Sequence, residues 1–197
     1  MKRIRTKLLS IYWEIRLGIS TARIVESRSD RYHSVTLPYP VILSIIRSLQ
    51  LAPSDVFVDL GCGKGRVVCC AARIGIREAI GIEREQELCR LAQTNALRLR
   101  GRRTTISIRH VSAENADYLN ETVFYMFNPF GEDVMRAVVS KIASSLTLNP
   151  RPIRLVYVKP VFESVLEESG WLEQYDHWKP VDHDGMEHAV SFWTSKP

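Results

Sequence analysis

The chain has 197 residues, 45% of them hydrophobic and 25% charged, with a net charge of +5. This is the composition of one globular domain with a short extension, and it excludes a low-complexity or repeat protein. Residues 1–31 hold eight Lys/Arg against Glu14, Glu26 and Asp30, while the remainder is balanced, so the body of the chain is not a basic nucleic-acid platform.

The first predicted element is a helix over residues 6–18. Leu8, Ile11, Tyr12, Ile15 and Ile19 recur at helical spacing, and Gly18 stands near the stop. An apolar face with a basic flank fits a helix lying on an anionic membrane and also a helix packed on its own domain; packing is the expectation. Residues 8–19 contain Glu14 and Arg16, are too short to span a bilayer and lack a cleavage pattern. Residues 20–37 read as a polar connector. A second helix is expected over 40–49, with proline in its first turn and Val41, Ile45, Ile46 and Leu49 on its apolar side.

From residue 56 onward the pattern alternates. Strands are expected at 56–60, 79–83, 105–111, 123–128 and 153–158, and helices at 64–74, 85–100, 132–146 and 161–169. Two last strands, 172–179 and 188–194, have no helix between them and should form an antiparallel hairpin. Alternation of this kind implies an α/β fold with a mostly parallel sheet covered on both faces. The expected organisation is a basic helical extension over 1–35 and one α/β domain over 36–197.

In such sheets ligands bind beyond the carboxyl ends of the strands, and the conspicuous residues fall there. Asp59 closes the first strand and is followed by Gly61-Cys62-Gly63-Lys64-Gly65-Arg66. Glycines in that loop admit positive φ and close approach of a ligand to the backbone. Glu83 closes the second strand, eighteen residues past Gly65, where an acid can accept bonds from both hydroxyls of a ribose. The dinucleotide fingerprint fails because Arg66 occupies the position of its third glycine, and the P-loop fails because Lys64 lacks the required upstream glycine. Ser112, Ala113 and Glu114 follow the third strand, Asn128-Pro129-Phe130-Gly131 the fourth, and Lys159-Pro160 the fifth.

Asp59 with the three glycines resembles the first motif of class I S-adenosylmethionine-dependent methyltransferases, and the resemblance extends over residues 36–197. It implies a Rossmann-like seven-stranded sheet with an antiparallel C-terminal hairpin, and S-adenosylmethionine as cofactor. Gly61, Cys62, Gly63 and Gly65 would lie against its methionine part, Asp59 near its amino group, Glu83 on its ribose and Glu114 by its adenine. Asn128-Pro129-Phe130 resembles the fourth motif of amino-group methyltransferases without the second proline. The wider segment 127–134 is similar to that of non-SET histone-lysine methyltransferases. The resemblance implies that Asn128 and the Pro129 region accept bonds from a target amine while Phe130 packs on it. An alternative use of Asn128 is to cap the following helix.

The implied activity is methyl transfer to a nitrogen, with a lysine side chain of a protein as first choice and RNA or a small molecule as alternatives. A non-catalytic binding module of the same fold is the reading from a different class. The basic arm suits a membrane surface, a phosphate backbone or an acidic partner. Cys62, Cys69, Cys70 and Cys89 form no metal-binding or disulfide pattern and are expected as reduced thiols in a cytoplasmic protein, peripheral to membrane at most. Cys62 is expected to fill a tight loop. His110 is expected as a core histidine, and Tyr32, His33 and Tyr39 as candidate lining of a substrate pocket.

Overall fold

The structure, a computed structural model, describes residues 2–21, 36–182 and 184–196, with the backbone alone for residues 2–7. Helix α1 (Lys2–Leu17) and helix α2 (Tyr39–Ser48) precede the sheet. Strand β1 (Val56–Leu60), helix α3 (Arg66–Ala71), β2 (Glu78–Glu83), α4 (Gln86–Arg98) and β3 (Thr105–His110) form the first half. A single 3-10 turn (Ala113–Asn115) leads to β4 (Val123–Phe127), α5 (Glu132–Leu148), β5 (Arg154–Val158), α6 (Glu163–Glu168), β6 (Leu172–Trp178) and β7 (Val190–Ser195).

The seven strands lie in the order β3-β2-β1-β4-β5-β7-β6. The first five are parallel, and β7 inserts antiparallel between β5 and β6. This is the sheet expected from the sequence. The order reverses between β1 and β4, so the crevice that binds ligands in such sheets opens there.

Central β1 is buried along its whole length, and its side chains alternate between two cores. Phe57 joins the core beneath α2, α3 and α4, and Val56, Val58 and Leu60 join the core beneath α5 and α6. Two residues of the N-terminal segment, Leu17 and Ile19, are buried in the first of these cores with Ile42 and Ile45 of α2. Among the described side chains of α1, the exposed large apolar ones are Leu8, Ile11, Tyr12 and Ile15, which form a stripe on its outer side. No described helix is long and apolar enough to cross a membrane.

Two expectations are revised. The helix expected from residue 64 begins at Arg66, because Gly63 and Gly65 both have positive φ and hold the chain in a loop until then. His110 is not in a core: β3 is an edge strand, and His110 is exposed at its end with its Nε2 bonded to the Arg84 carbonyl.

Candidate functional site

The loop after β1 turns on three glycines in left-handed geometry, Gly61 (φ 76°), Gly63 (φ 53°) and Gly65 (φ 78°). At Gly61 a side chain would also collide, and at Gly65 it would be crowded. A Cβ on Gly61 would lie 2.7 Å from Cβ of Pro129, and one on Gly65 3.3 Å from Cβ of Ala92. The loop is held from β2 outward: the amides of Gly61 and Cys62 both donate to the Ile82 carbonyl at 2.9 Å. Glu83 completes the hold, its two carboxylate oxygens accepting from the amides of Gly63 (2.8 Å) and Glu85 (2.9 Å). Each oxygen keeps a lone pair, so the same carboxylate can accept ribose hydroxyls as well.

Cys62 turns inward. It is buried, and its sulfur faces Gly81, where a Cβ would meet it at 2.7 Å. Burial first, then the carboxylates of Asp59 and Glu83, push its thiol far up, which suits packing and not nucleophilic chemistry.

Asp59 is the register partner of Tyr125 on β4, and by the alternation of β1 both face the core of Phe57. The Asp59 side chain is buried, and no described residue hydrogen-bonds it. Burial and the nearby Glu83 carboxylate push its carboxyl well above the usual range. The Tyr125 hydroxyl is buried without a partner among the described residues, and burial followed by Asp59 pushes it upward too. Both groups line a cavity of about 40 Å³ closed by Gly61, Gly63, Lys64 and Phe127. Lys64 is itself buried, and burial lowers its pKa. An acid, a cation and an orphaned hydroxyl around one small cavity match an amino-acid headgroup, which carries both charges. These residues therefore fit the methionine end of S-adenosylmethionine.

The corner after β4 abuts this loop. Asn128 has φ 38°, a strained value for an asparagine, and Lys159 at the end of neighbouring β5 has φ 52°. The Asn128 side chain is fixed by the Tyr157 hydroxyl, which donates to its Oδ1 at 3.1 Å. It does not cap α5, whose N-cap is Gly131 with no side-chain bond. Pro129 packs on Gly61, and Phe130 is partly buried against the core under α5. Glu114 lies in the 3-10 turn after β3, two strands away from β1 and outside the lining of the cavity. Tyr39 is buried against Trp13 of α1, not on a pocket wall, and Tyr32 and His33 lie outside the described residues. Reading the sequence missed Tyr125, Tyr157 and Thr21, the last of which lines the cavity from the N-terminal segment. Inside a strand a tyrosine reads as core, and nothing in its spacing announces an unpaired hydroxyl.

Comparison with known proteins agrees with this fold. A family model described as "Histone methylation protein DOT1" matches residues 32–126, a span that includes Asp59, the glycines and Glu83 and stops before Asn128. A solved RNA methyltransferase from Salinibacter ruber, in complex with S-adenosyl-L-homocysteine, superposes with a TM-score of 0.55 at 24% identity, over 82% of this chain and 94% of that one. The chain has the fold of S-adenosylmethionine-dependent methyltransferases. Two curated methyltransferases are similar in sequence to stretches of this chain. A protein-lysine N-methyltransferase of Saccharolobus islandicus is 32% identical over 62 residues, 31% of this chain and 38% of that protein. A histone H3 lysine-79-specific N-methyltransferase of Caenorhabditis elegans is 45% identical over 53 residues, 26% of this chain and 6% of that protein. The matches thus span well under half the length of either curated relative.

Proposed function

We propose that the protein transfers a methyl group from S-adenosylmethionine to a nitrogen, with a lysine side chain of a protein as acceptor. The observation that carries this reading is the contact between Pro129 and Gly61, which sets the Asn128-Pro129-Phe130 corner directly on the donor loop. The cofactor supplies an electrophilic methyl on a sulfonium. The chain's task is alignment and exclusion of water. Asp59 and Tyr125 would hold the cofactor's ammonium group, Lys64 would pair with its carboxylate, Glu83 would accept from the ribose and Glu114 would serve the adenine. Asn128 Oδ1 keeps a lone pair beside its bond to Tyr157 and accepts from the incoming neutral amine. Transfer would form the nitrogen–carbon bond as the sulfur–carbon bond breaks, leaving a neutral thioether, and the product ammonium would shed a proton to solvent. The lysine assignment draws support from the names of the two curated relatives and from the Asn-Pro-Phe corner. RNA is the second reading, favoured by the basic residues of 1–31.

The test has two stages. Calorimetry should show S-adenosylmethionine binding, weakened about tenfold in Glu83→Ala through loss of charge-assisted hydrogen bonds. Absence of binding by the wild type would leave only a non-catalytic module. Labelled-methyl transfer into a cell lysate, split into protein, RNA and small-molecule fractions, then identifies the acceptor. Label confined to RNA would overturn the lysine assignment.

The outer stripe of α1 favours peripheral attachment to anionic lipid. Leu8, Ile11, Tyr12 and Ile15 are 60%, 44%, 53% and 68% exposed. The helix has five basic residues in its sequence and one acid, Glu14, which is turned toward Arg66. Apolar contact plus roughly 1 kcal/mol per basic residue near the surface favours such binding. Wild-type protein should float with phosphatidylserine vesicles and not with neutral ones, and Leu8→Glu with Ile15→Glu should abolish flotation. Flotation unchanged in that double variant would refute the attachment.

A further inference from the structure

Arg66, where a dinucleotide fingerprint would carry glycine, has no task in the chemistry above, yet it is one of the best-held side chains in the molecule. It is 5% exposed and is the first residue of α3, directly after Gly65. Its Nε donates to the Thr21 hydroxyl at 2.7 Å and one terminal nitrogen to the Leu37 carbonyl at 3.0 Å. The other terminal nitrogen lies 3.5 Å from Glu14 Oε1, and the plane sits over the Tyr39 ring at 4.3 Å. Glu14 also accepts from the Thr21 amide (2.6 Å) and hydroxyl (2.8 Å). The Tyr39 hydroxyl lies 3.1 Å from the Thr21 oxygen and, since Thr21 gives its one proton to Glu14, donates to it. The Tyr39 ring in turn stacks on Trp13 of α1 at 5.9 Å.

A second tie runs beside the first. The Asn95 amide nitrogen donates to the carbonyls of Lys64 (2.9 Å) and Ser20 (3.1 Å), and its oxygen accepts from the Ser20 amide (2.9 Å). The Arg100 amide donates to the Leu17 carbonyl at 2.8 Å. The end of α1 and residues 17–21 are thereby stitched to the second half of the glycine loop and to α4.

We propose that Arg66 is a positioning residue of the cofactor loop, and that α1 is through it a working part of the cofactor site and not an appended arm. The proposal rests on the methyltransferase reading. A loop with three glycines in five residues has little stiffness of its own, and whatever fixes it in advance spares the cofactor the cost of ordering it. Glu83 and the Ile82 carbonyl fix its first half. Arg66 and Asn95 fix its second half, and both are anchored on the N-terminal segment. Thr21 and Arg66 also line the same cavity as Asp59, so the anchor stands at the binding surface itself.

The test uses full-length protein and calorimetry with S-adenosylmethionine, at a temperature where circular dichroism shows every variant folded. Arg66→Ala should weaken binding about tenfold, and Arg66→Lys, which keeps the charge and one bond, should recover part of that loss. Glu14→Gln keeps an acceptor for Thr21 and removes the charge, and should cost roughly threefold. With an identified acceptor, KM for the cofactor should rise while kcat stays within about twofold. Ile142→Ala, in the core on the other face of the sheet, controls for stability. Arg66→Ala binding like the wild type, or Ile142→Ala weakening binding as much as Arg66→Ala, overturns this proposal alone. Wild-type protein that does not bind the cofactor overturns it together with the methyltransferase reading.

Discussion

Replacing Asp59 by Asn should make the cofactor-free protein more stable and its cofactor binding weaker. Asp59 is buried beside Glu83, its carboxyl is pushed well above the usual range, and no described side chain or amide pairs with it. For an acid whose folded pKa lies above its unfolded one, folding binds a proton. The stability this group contributes is therefore full below the unfolded value, about 3.9, and is lost as pH rises toward the raised folded value. The neutral amide of the Asp59→Asn variant would carry no such penalty. Its advantage in melting temperature should be near zero at acid pH and grow as pH rises, by roughly 2–4 °C for each kcal/mol. With saturating S-adenosylmethionine the order should reverse, because on the proposed reading the cofactor's ammonium would supply the missing partner, and a charge-assisted contact is worth about 1.5–3 kcal/mol, or roughly 10- to 100-fold in affinity. Thermal melts across pH with and without cofactor would check this. A wild-type chain more stable than the variant at neutral pH without cofactor would mean that Asp59 is already paired, and the ammonium assignment would fall.

Replacing Asn128 by Ala should leave cofactor affinity within about twofold and lower turnover roughly 10- to 100-fold, since loss of alignment at the reacting nitrogen acts on the transfer step alone. The residue sits in strained left-handed geometry, and its side chain is oriented by Tyr157. A non-glycine residue held there without capping a helix points to use elsewhere. Tyr157→Phe removes the orienting bond but keeps the ring, and should lower turnover by a smaller factor in the same direction. Single-turnover transfer on an identified acceptor, with calorimetry for the cofactor, separates the two effects. Unchanged turnover in Asn128→Ala would remove the corner from the mechanism, whatever the fate of the donor loop.

Much of the architecture was legible because it is local. Alternating runs of apolar residues define each strand, and a last pair joined without a helix has no crossover and must turn back antiparallel, as β6 and β7 do. The left-handed turns at Gly61, Gly63 and Gly65, and the places of Asp59 and Glu83 near the ends of β1 and β2, were legible for the same reason. They are spaced along one β-loop-α-β unit, and the backbone geometry they permit is written into residue type. The apolar period of α1 was equally plain, but its use was not. A helix with apolar residues around much of its circumference can pack and still present a stripe, and only the neighbours decide which residues turn in. Leu17 and Ile19 are buried while Leu8, Ile11, Tyr12 and Ile15 stay outside.

What the tertiary structure alone decided are the contacts between segments far apart in the chain. Tyr125 reads as a strand residue, and its hydroxyl becomes an orphan beside Asp59 only through the parallel pairing of β4 with β1. Tyr157 reaches Asn128 across twenty-nine residues, and Arg66 reaches Glu14 across fifty-two. Pro129 meets Gly61 through the fold, with no sequence proximity to suggest it. Period and residue type determine which elements form and where a backbone can bend, since both act within a few residues. Which polar groups are left unpaired, and which cation is enclosed, depends on what the fold brings against them, and single-chain spacing carries no record of that.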